Sequence, residues 1–252
     1  MPPFVFFLKM ANLLIEIGNT ALKAAWTDGL TLGRTFRYQG EKKTEFILSL
    51  MEKEKPLVLC ISSVYDISSY EESLLRQACP QFILLDPSHS HGFLSDNSLP
   101  DYLTCDRAAG LIAVKHLFPG KGCTLIDFGT TLTVDFISAS GDYLGGNISL
   151  GCRTRFKALN RYSKVLPLVD TPAEISSRGH STVSSIESGI ISGIMFEIQG
   201  YIDSNTENVT IFTGGDAIYF AKRMKNPIFV VCNLVMMGLA ILTDDYVRKN
   251  IK

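Results

Sequence analysis

Charge is scarce in this chain. Of 252 residues only 19% are Asp, Glu, Lys or Arg, and the formal net charge is −1. No basic field, run or tail is present, so nothing is available to hold a nucleic-acid backbone, whose binding rests on phosphate neutralisation. None of the six cysteines forms a Cys-x-x-Cys pair, and the four histidines lack zinc-ligand spacing. This argues against a metal-stapled domain and favours free thiols in a reducing compartment. There is no Gly-x-x-x-x-Gly-Lys loop, no Rossmann glycine fingerprint and no readable Ser-His-Asp set. His89, His91, His116 and His180 sit in no motif and receive no role. Long apolar runs are also missing. The stretch from Met1 to Met10 is apolar, but it lacks a basic leader and is too short for a signal peptide. The greasy segment from Val230 to Leu242 is broken by Asn233 and stops before Asp244-Asp245, short of a bilayer's thickness. A buried C-terminal helix and a soluble, cytoplasmic protein with no membrane partner are expected.

What the chain does have is a doubled motif. Leu13-Leu14-Ile15-Glu16-Ile17-Gly18-Asn19-Thr20 is matched by Thr124-Leu125-Ile126-Asp127-Phe128-Gly129-Thr130-Thr131, with the two acids 111 positions apart. Each copy is an apolar strand, a carboxylate, an apolar residue, a glycine and two small polar residues. Glycine lets backbone N–H groups approach an oxyanion, and the neighbouring polar side chains add donors. Glu16 and Asp127 end their strands, where Mg²⁺ or its waters could bridge to phosphate oxygens. One copy alone reads as an ordinary hairpin entrance. Two copies with matched surroundings point to a cleft between related domains that holds a nucleotide's phosphates.

The surroundings do match. After the first copy, Leu22 to Thr27 continues as a strand, Asp28-Gly29 turns, and Leu30 to Tyr38 returns. After the second, Leu132 to Ser138 continues, Ser140-Gly141-Asp142 turns, and a strand resumes at Tyr143. Helical and strand signals then alternate. Helices are predicted over Glu45–Glu54, Ser69–Ala78, Asp106–Phe118, Arg153–Tyr162 and Ser184–Ile202, and strands over Leu57–Ser62, Gln81–Leu85 and Asn208–Phe212. A β-meander followed by alternating helix and strand, done twice, gives an α/β fold. The expected division is an N-terminal extension over 1–11, a first domain over 12–121 and a second over 122–252.

Three further stretches can carry chemistry. Thr104-Cys105-Asp106-Arg107 opens an apolar helix; Asp106 could be a helix cap, or the base for a substrate hydroxyl with Arg107 as an anion clamp. Gly145-Gly146-Asn147-Ile148-Ser149-Leu150-Gly151 suits close backbone approach to a ligand, or a simple bulge. Thr213-Gly214-Gly215-Asp216-Ala217 follows a strand and opens a helix, as a nucleotide site or a tight turn would.

In this order these stretches resemble the type III pantothenate kinase family, of the acetate and sugar kinase/actin-like ATPase fold, from about Asn12 to the C-terminal helix. The family's Asp-x-Gly-Asn-Thr loop matches Glu16 to Thr20, its Asp-x-Gly-Thr loop Asp127 to Thr130, and its Gly-x-Asp-Arg motif Thr104 to Arg107. Its Gly-Gly-x-Ile-x-Pro-Gly segment matches Gly145 to Gly151, followed by Arg155 and Ala158-Leu159. Its Ser-Thr-x-x-x-Ile-x-x-Gly segment matches Ser181, Thr182, Ile186 and Gly189, and its Thr-Gly-Gly-Asp-Ala is unchanged. Glu16, Thr104 and Leu150 stand where the family has Asp, Gly and Pro, and Asn97 lies near the place of a substrate-contacting Tyr.

The resemblance implies duplicated actin-like (ribonuclease H-like) domains flanking a cleft, and ATP-dependent phosphorylation of pantothenate, the opening step of coenzyme A synthesis. It makes Asp106 the proton acceptor. ATP is expected on Glu16, Ile17, Gly18, Asn19, Thr20, Ala21, Leu22, Lys23, Thr130, Gly214 and Gly215. Pantothenate is expected on Thr104, Cys105, Arg107 and Thr182, and a monovalent cation (K⁺ or NH₄⁺) on Asp127. It also implies a homodimer whose substrate site is completed at the subunit interface. Two other readings stay open on the residues: a non-catalytic, nucleotide-binding regulatory homologue, and another actin-fold small-molecule kinase.

Overall fold

The computed structural model describes residues 11–251, and the apolar N-terminal stretch lies outside them apart from Ala11. Two compact units are present. One runs to Ala113 and resumes at Leu234; the other spans Val114–Asn233.

The first unit is built on a five-stranded sheet. The strands are β1 (Asn12–Ile17), β2 (Leu22–Asp28), β3 (Thr31–Tyr38), β4 (Leu59–Ser63) and β5 (Phe82–Leu85), in the order β3-β2-β1-β4-β5. The meander is antiparallel, whereas β4 and β5 run parallel to β1. Its helices are α1 (Lys43–Lys53), α2 (Ser69–Ala78), α3 (His91–Asp96), α4 (Cys105–Leu117) and α8 (Leu234–Asn250). Strand β1 is buried on both faces, as a central strand covered by helices must be. Its alternate residues Leu13, Ile15 and Ile17 pack with Ile47, Met51 and Leu75 of α1 and α2. Leu14, between them, packs with Cys105 and Ala109 of α4 and with Met236 and Leu239 of α8.

The second unit repeats the plan. Its strands are β6 (Cys123–Phe128), β7 (Thr131–Ile137), β8 (Tyr143–Leu150), β9 (Val209–Gly214) and β10 (Phe229–Val230), in the order β10-β9-β6-β7-β8. That is the first sheet's order read from the other edge. Helices α5 (Cys152–Tyr162), α6 (Thr182–Asp203) and α7 (Ala217–Ala221) complete it. Ile126, Phe128 and Val134 pack under Phe156, the isoleucine stripe Ile190, Ile191, Ile194 and Ile198, and Phe220.

The duplicated α/β plan expected from the sequence is therefore present, with element ends moved by one or two residues. Three details differ. Helix α3 has no counterpart among the expected elements, because it has no side-chain cap and only six residues. Val230 belongs to β10, and the last helix starts at Leu234 and runs on to Asn250. That helix, counted with the second half in the sequence division, packs against β1, β3 and β4. The reason is close contact: a Cβ at Gly238 would lie 1.9 Å from the Ala109 carbonyl oxygen, so only glycine lets α8 seat on α4.

Candidate active site

In a parallel arrangement the carboxyl ends of strands share one edge, and there α/β sheets collect their ligand-binding loops. In the first unit that edge carries the ends of β1, β4 and β5. Glu16 and Lys23 are cross-strand partners in the β1–β2 register. Their side chains meet, with Lys23 Nζ 3.1 and 3.0 Å from the two carboxylate oxygens. Burial pushes the Glu16 carboxyl above its ordinary range; Lys23 offsets part of this, while the charge of Asp106 adds to the upward push. Asp106 therefore lies within electrostatic reach of the Glu16–Lys23 pair. Between those residues the chain turns tightly, with the Gly18 N–H donating to Ala21 O at 3.0 Å. Asn19 and Thr20 are exposed, and Ala21 is half-buried.

Asp106 sits in the first turn of α4, where its Oδ1 accepts from the Arg107 N–H at 2.9 Å. Its carboxylate thus shares the N-terminal end of the helix, which favours negative charge. Arg107 is buried, Thr104 is exposed, and Cys105 is buried in the core with its thiol pushed up to about 11, chiefly by burial. Of the residues expected to touch substrate here, Cys105 offers only its backbone. Asn97, at the place of the expected aromatic hydroxyl, is the C-cap of α3 and donates from Nδ2 to Phe93 O at 2.9 Å.

In the second unit Asp127 lies between Thr133 on β7 and Thr213 on β9. The turn is tighter than its counterpart, with the Gly129 N–H donating to Thr131 O at 3.0 Å. A Cβ at Gly214 would fall 2.3 Å from Asp127 Oδ1, and Gly214 has φ +90°, so glycine is required there twice over. Gly215 donates to Phe128 O at 2.9 Å, which seats the Thr-Gly-Gly-Asp loop on the end of β6. The Thr130 carbonyl accepts from the Gly151 N–H at 3.1 Å and from Thr154 Oγ1 at 2.6 Å. Both glycine segments singled out in the sequence therefore clamp the second acidic turn.

Thr182 opens α6 one residue after Ser181, whose hydroxyl forms a capping box with Ser184. It lines a groove of about 980 Å³ between α5 and α6, together with Arg155, Leu159, Tyr162, Ile186 and Gly189. Arg155 is fixed there by an ion pair with Glu197 and by Leu150 O at 2.8 Å. Glu197 carries no local sequence signal, because its partner is 42 residues away.

Residues 12–204 match the model of the type III pantothenate kinase family. The chain belongs to that family. Relatives named type III pantothenate kinase include one from Phocaeicola vulgatus, 37% identical over 90% of this chain and 96% of the relative. Another, from Azobacteroides pseudotrichonymphae, is 34% identical over 90% and 94%. Among solved structures, a putative Baf family transcriptional activator from Campylobacter jejuni superposes with TM-score 0.61 at 20% identity, covering 94% of this chain and 98% of that one. The activator of 2-hydroxyisocaproyl-CoA dehydratase from Clostridium difficile, with bound ADPNP, gives 0.59 at 14%, covering 95% and 96%. At those identities the structural likeness establishes the fold, which the family shares with actin-like ATPases and sugar kinases.

Proposed function

We propose that this chain transfers the γ-phosphoryl group of ATP to the hydroxyl of pantothenate, the first step of coenzyme A synthesis, with Asp106 as proton acceptor. One observation carries the assignment of roles. Asp106 stands at a helix N-terminus within electrostatic reach of the Glu16–Lys23 pair, which supports reading the acid and the Gly18 turn as parts of one site. Phosphoryl transfer asks little more of a protein than positioning and charge neutralisation. As the acceptor oxygen bonds to the γ-phosphorus and the bond to the ADP oxygen breaks, the hydroxyl proton passes to the Asp106 carboxylate.

The turn from Glu16 to Lys23 would supply N–H groups and the lysine charge to ATP, and Thr130, Gly214 and Gly215 are also assigned to ATP. Thr104, Cys105 through its backbone, Arg107 and Thr182 contact pantothenate. Glu16 and Asp127 each offer the hard oxygen donors that Mg²⁺ would take together with phosphate and water. Among the described residues no three His, Cys, Asp or Glu side chains gather into a cage. When bound, Mg²⁺ neutralises phosphate charge. Asp127 is also assigned the monovalent cation.

Glu16, which departs from the family pattern, is held by Lys23 through both carboxylate oxygens.

A homodimer is part of this reading. Leu144, Ile148 and Leu150 on β8, Tyr162 on α5, and Val183 and Phe196 on α6 are exposed large apolar side chains of one unit, which a second copy could cover. Five of the six cysteines are buried and all are free, which agrees with a cytoplasmic location. Among the described residues no helix is long and apolar enough to cross a membrane.

The deciding experiment is a coupled assay for ADP release, with and without pantothenate and K⁺. Pantothenate-dependent turnover is expected, and Asp106→Asn should lower it by about 10²-fold or more with an unchanged melting temperature. Turnover persisting in that variant removes Asp106 as the proton acceptor. Turnover confined to another hydroxy compound in a substrate panel assigns a different kinase. Nucleotide binding without any turnover assigns a regulatory homologue.

A further inference from the structure

A second constellation sits on the same edge of the first sheet and takes no part in the chemistry above. Asp86 directly follows β5 and is fully buried. A carboxylate there needs strong partners. Its Oδ2 accepts from the Ile67 N–H at 3.1 Å, and its Oδ1 from the His89 N–H at 3.0 Å and from His89 Nδ1 at 2.7 Å. The ring must therefore donate from Nδ1, which leaves Nε2 unprotonated in the neutral imidazole. The side chain is 45% exposed although its Nδ1 edge faces a buried acid, so Nε2 is the open edge. The loop is locked from the other side as well, because Ser88 N–H donates to Asp66 Oδ1 at 3.0 Å. Such a locked, singly oriented imidazole exceeds what loop closure requires, since the two backbone N–H groups already serve the carboxylate.

Its position relative to the reacting groups follows from the topology. β5 is two strands from β1, about 10 Å, on the side opposite the β1–β2 turn that carries Glu16 and Lys23. Between them comes the start of α4: Leu85 and Cys105 share a packed cluster, and the Ser90 hydroxyl hydrogen-bonds the Cys105 thiol. The order along the edge is the Glu16–Lys23 pair, then Asp106, then His89. In an in-line transfer the donor and acceptor lie on opposite sides of the moving phosphoryl group. An acceptor whose hydroxyl meets Asp106, with ATP on the Glu16–Lys23 side, extends towards His89.

We propose that His89, oriented by Asp86, contacts the phosphoryl acceptor through Nε2 and helps to select it, a role that rests on the kinase reading given above. His89→Ala should raise the KM for pantothenate by about tenfold, the worth of one lost hydrogen bond. The KM for ATP should stay within about twofold, with the melting temperature unchanged. His89→Gln, which can return a polar atom near Nε2, should recover part of the loss. Calorimetric titration of pantothenate in the presence of a non-hydrolysable ATP analogue should show the same loss in Kd. An unchanged acceptor KM and Kd in His89→Ala overturns the inference alone, and so does an equal rise in both KM values. A wild-type chain that neither binds nor phosphorylates pantothenate overturns the kinase reading, and the inference with it.

Discussion

Glu16 and Asp127 occupy the same place in two sheets of the same strand order, yet their carboxylates are held by different means. The first turn is one residue longer, closing from Gly18 to Ala21, whereas the second closes from Gly129 to Thr131. That length sets the register. Glu16 faces Lys23 across the hairpin, and Asp127 faces Thr133. On the neighbouring parallel strand, Ile17 pairs with Ser63 in the first sheet, and Phe128 pairs with Gly214 in the second. The longer acid is steadied by a cation. The shorter one fits because a glycine leaves room for it. A duplicated motif can thus keep its topology while the two copies diverge in electrostatics.

Substitutions at matched positions sharpen this contrast. The largest effect is expected from Gly214→Ala, which meets a carboxylate oxygen and the Phe128 backbone at a left-handed φ. A loss of about 3 kcal/mol or more is expected by denaturant titration. A loss below about 1 kcal/mol would show that the turn yields and that Asp127 does not depend on that space. Lys23→Met should cost about 1–2 kcal/mol near pH 8, less than a fully buried pair because Lys23 is 40% exposed.

That cost should depend on pH. The folded-state value of Glu16 lies above its ordinary 4.5, with burial as the main cause and Lys23 as the offset. Folding therefore favours the protonated acid, and its ionisation penalty is fully present above the folded-state value. Without Lys23 the value rises further. The gap between variant and wild type should be greatest at alkaline pH and shrink on acidification towards 4.5 as Glu16 takes up its proton. Melting curves that stay parallel from pH 8 to pH 5 would mean that the pair contributes nothing.

Ser63→Gly imitates the second sheet in the first. Ser63 Oγ donates to Tyr65 O at 2.6 Å, so about 1 kcal/mol should be lost without the collapse expected at Gly214. The smallest effect belongs to Glu16→Asp, which withdraws the acid from Lys23. It should cost under about 1 kcal/mol and appear mainly as a changed KM for ATP. A KM for ATP that does not move would separate Glu16 from the nucleotide.

Much of the framework was legible in local signals. Both acidic turns, both meanders, the Thr-Gly-Gly-Asp-Ala turn and the helix opened by Asp106 depend on residues within a few positions of each other. Local strings did not disclose the Glu16–Lys23 pairing, because a hairpin's register depends on how many residues its turn absorbs. They did not disclose the orientation of His89, which a fully buried acid fixes through Nδ1. They also left Arg155 without Glu197 and assigned α8 to the wrong half of the chain.

What the sequence by itself determined is the repeated strand-acid-glycine plan, and through it the α/β fold and the kinase family, since periodicity and turn chemistry act over short stretches of chain. The tertiary structure alone decided which cation meets which acid, which glycine is irreplaceable, and where the last helix docks. Those outcomes depend on register and on atoms brought within a few ångströms from distant parts of the chain, and no local pattern encodes such distances.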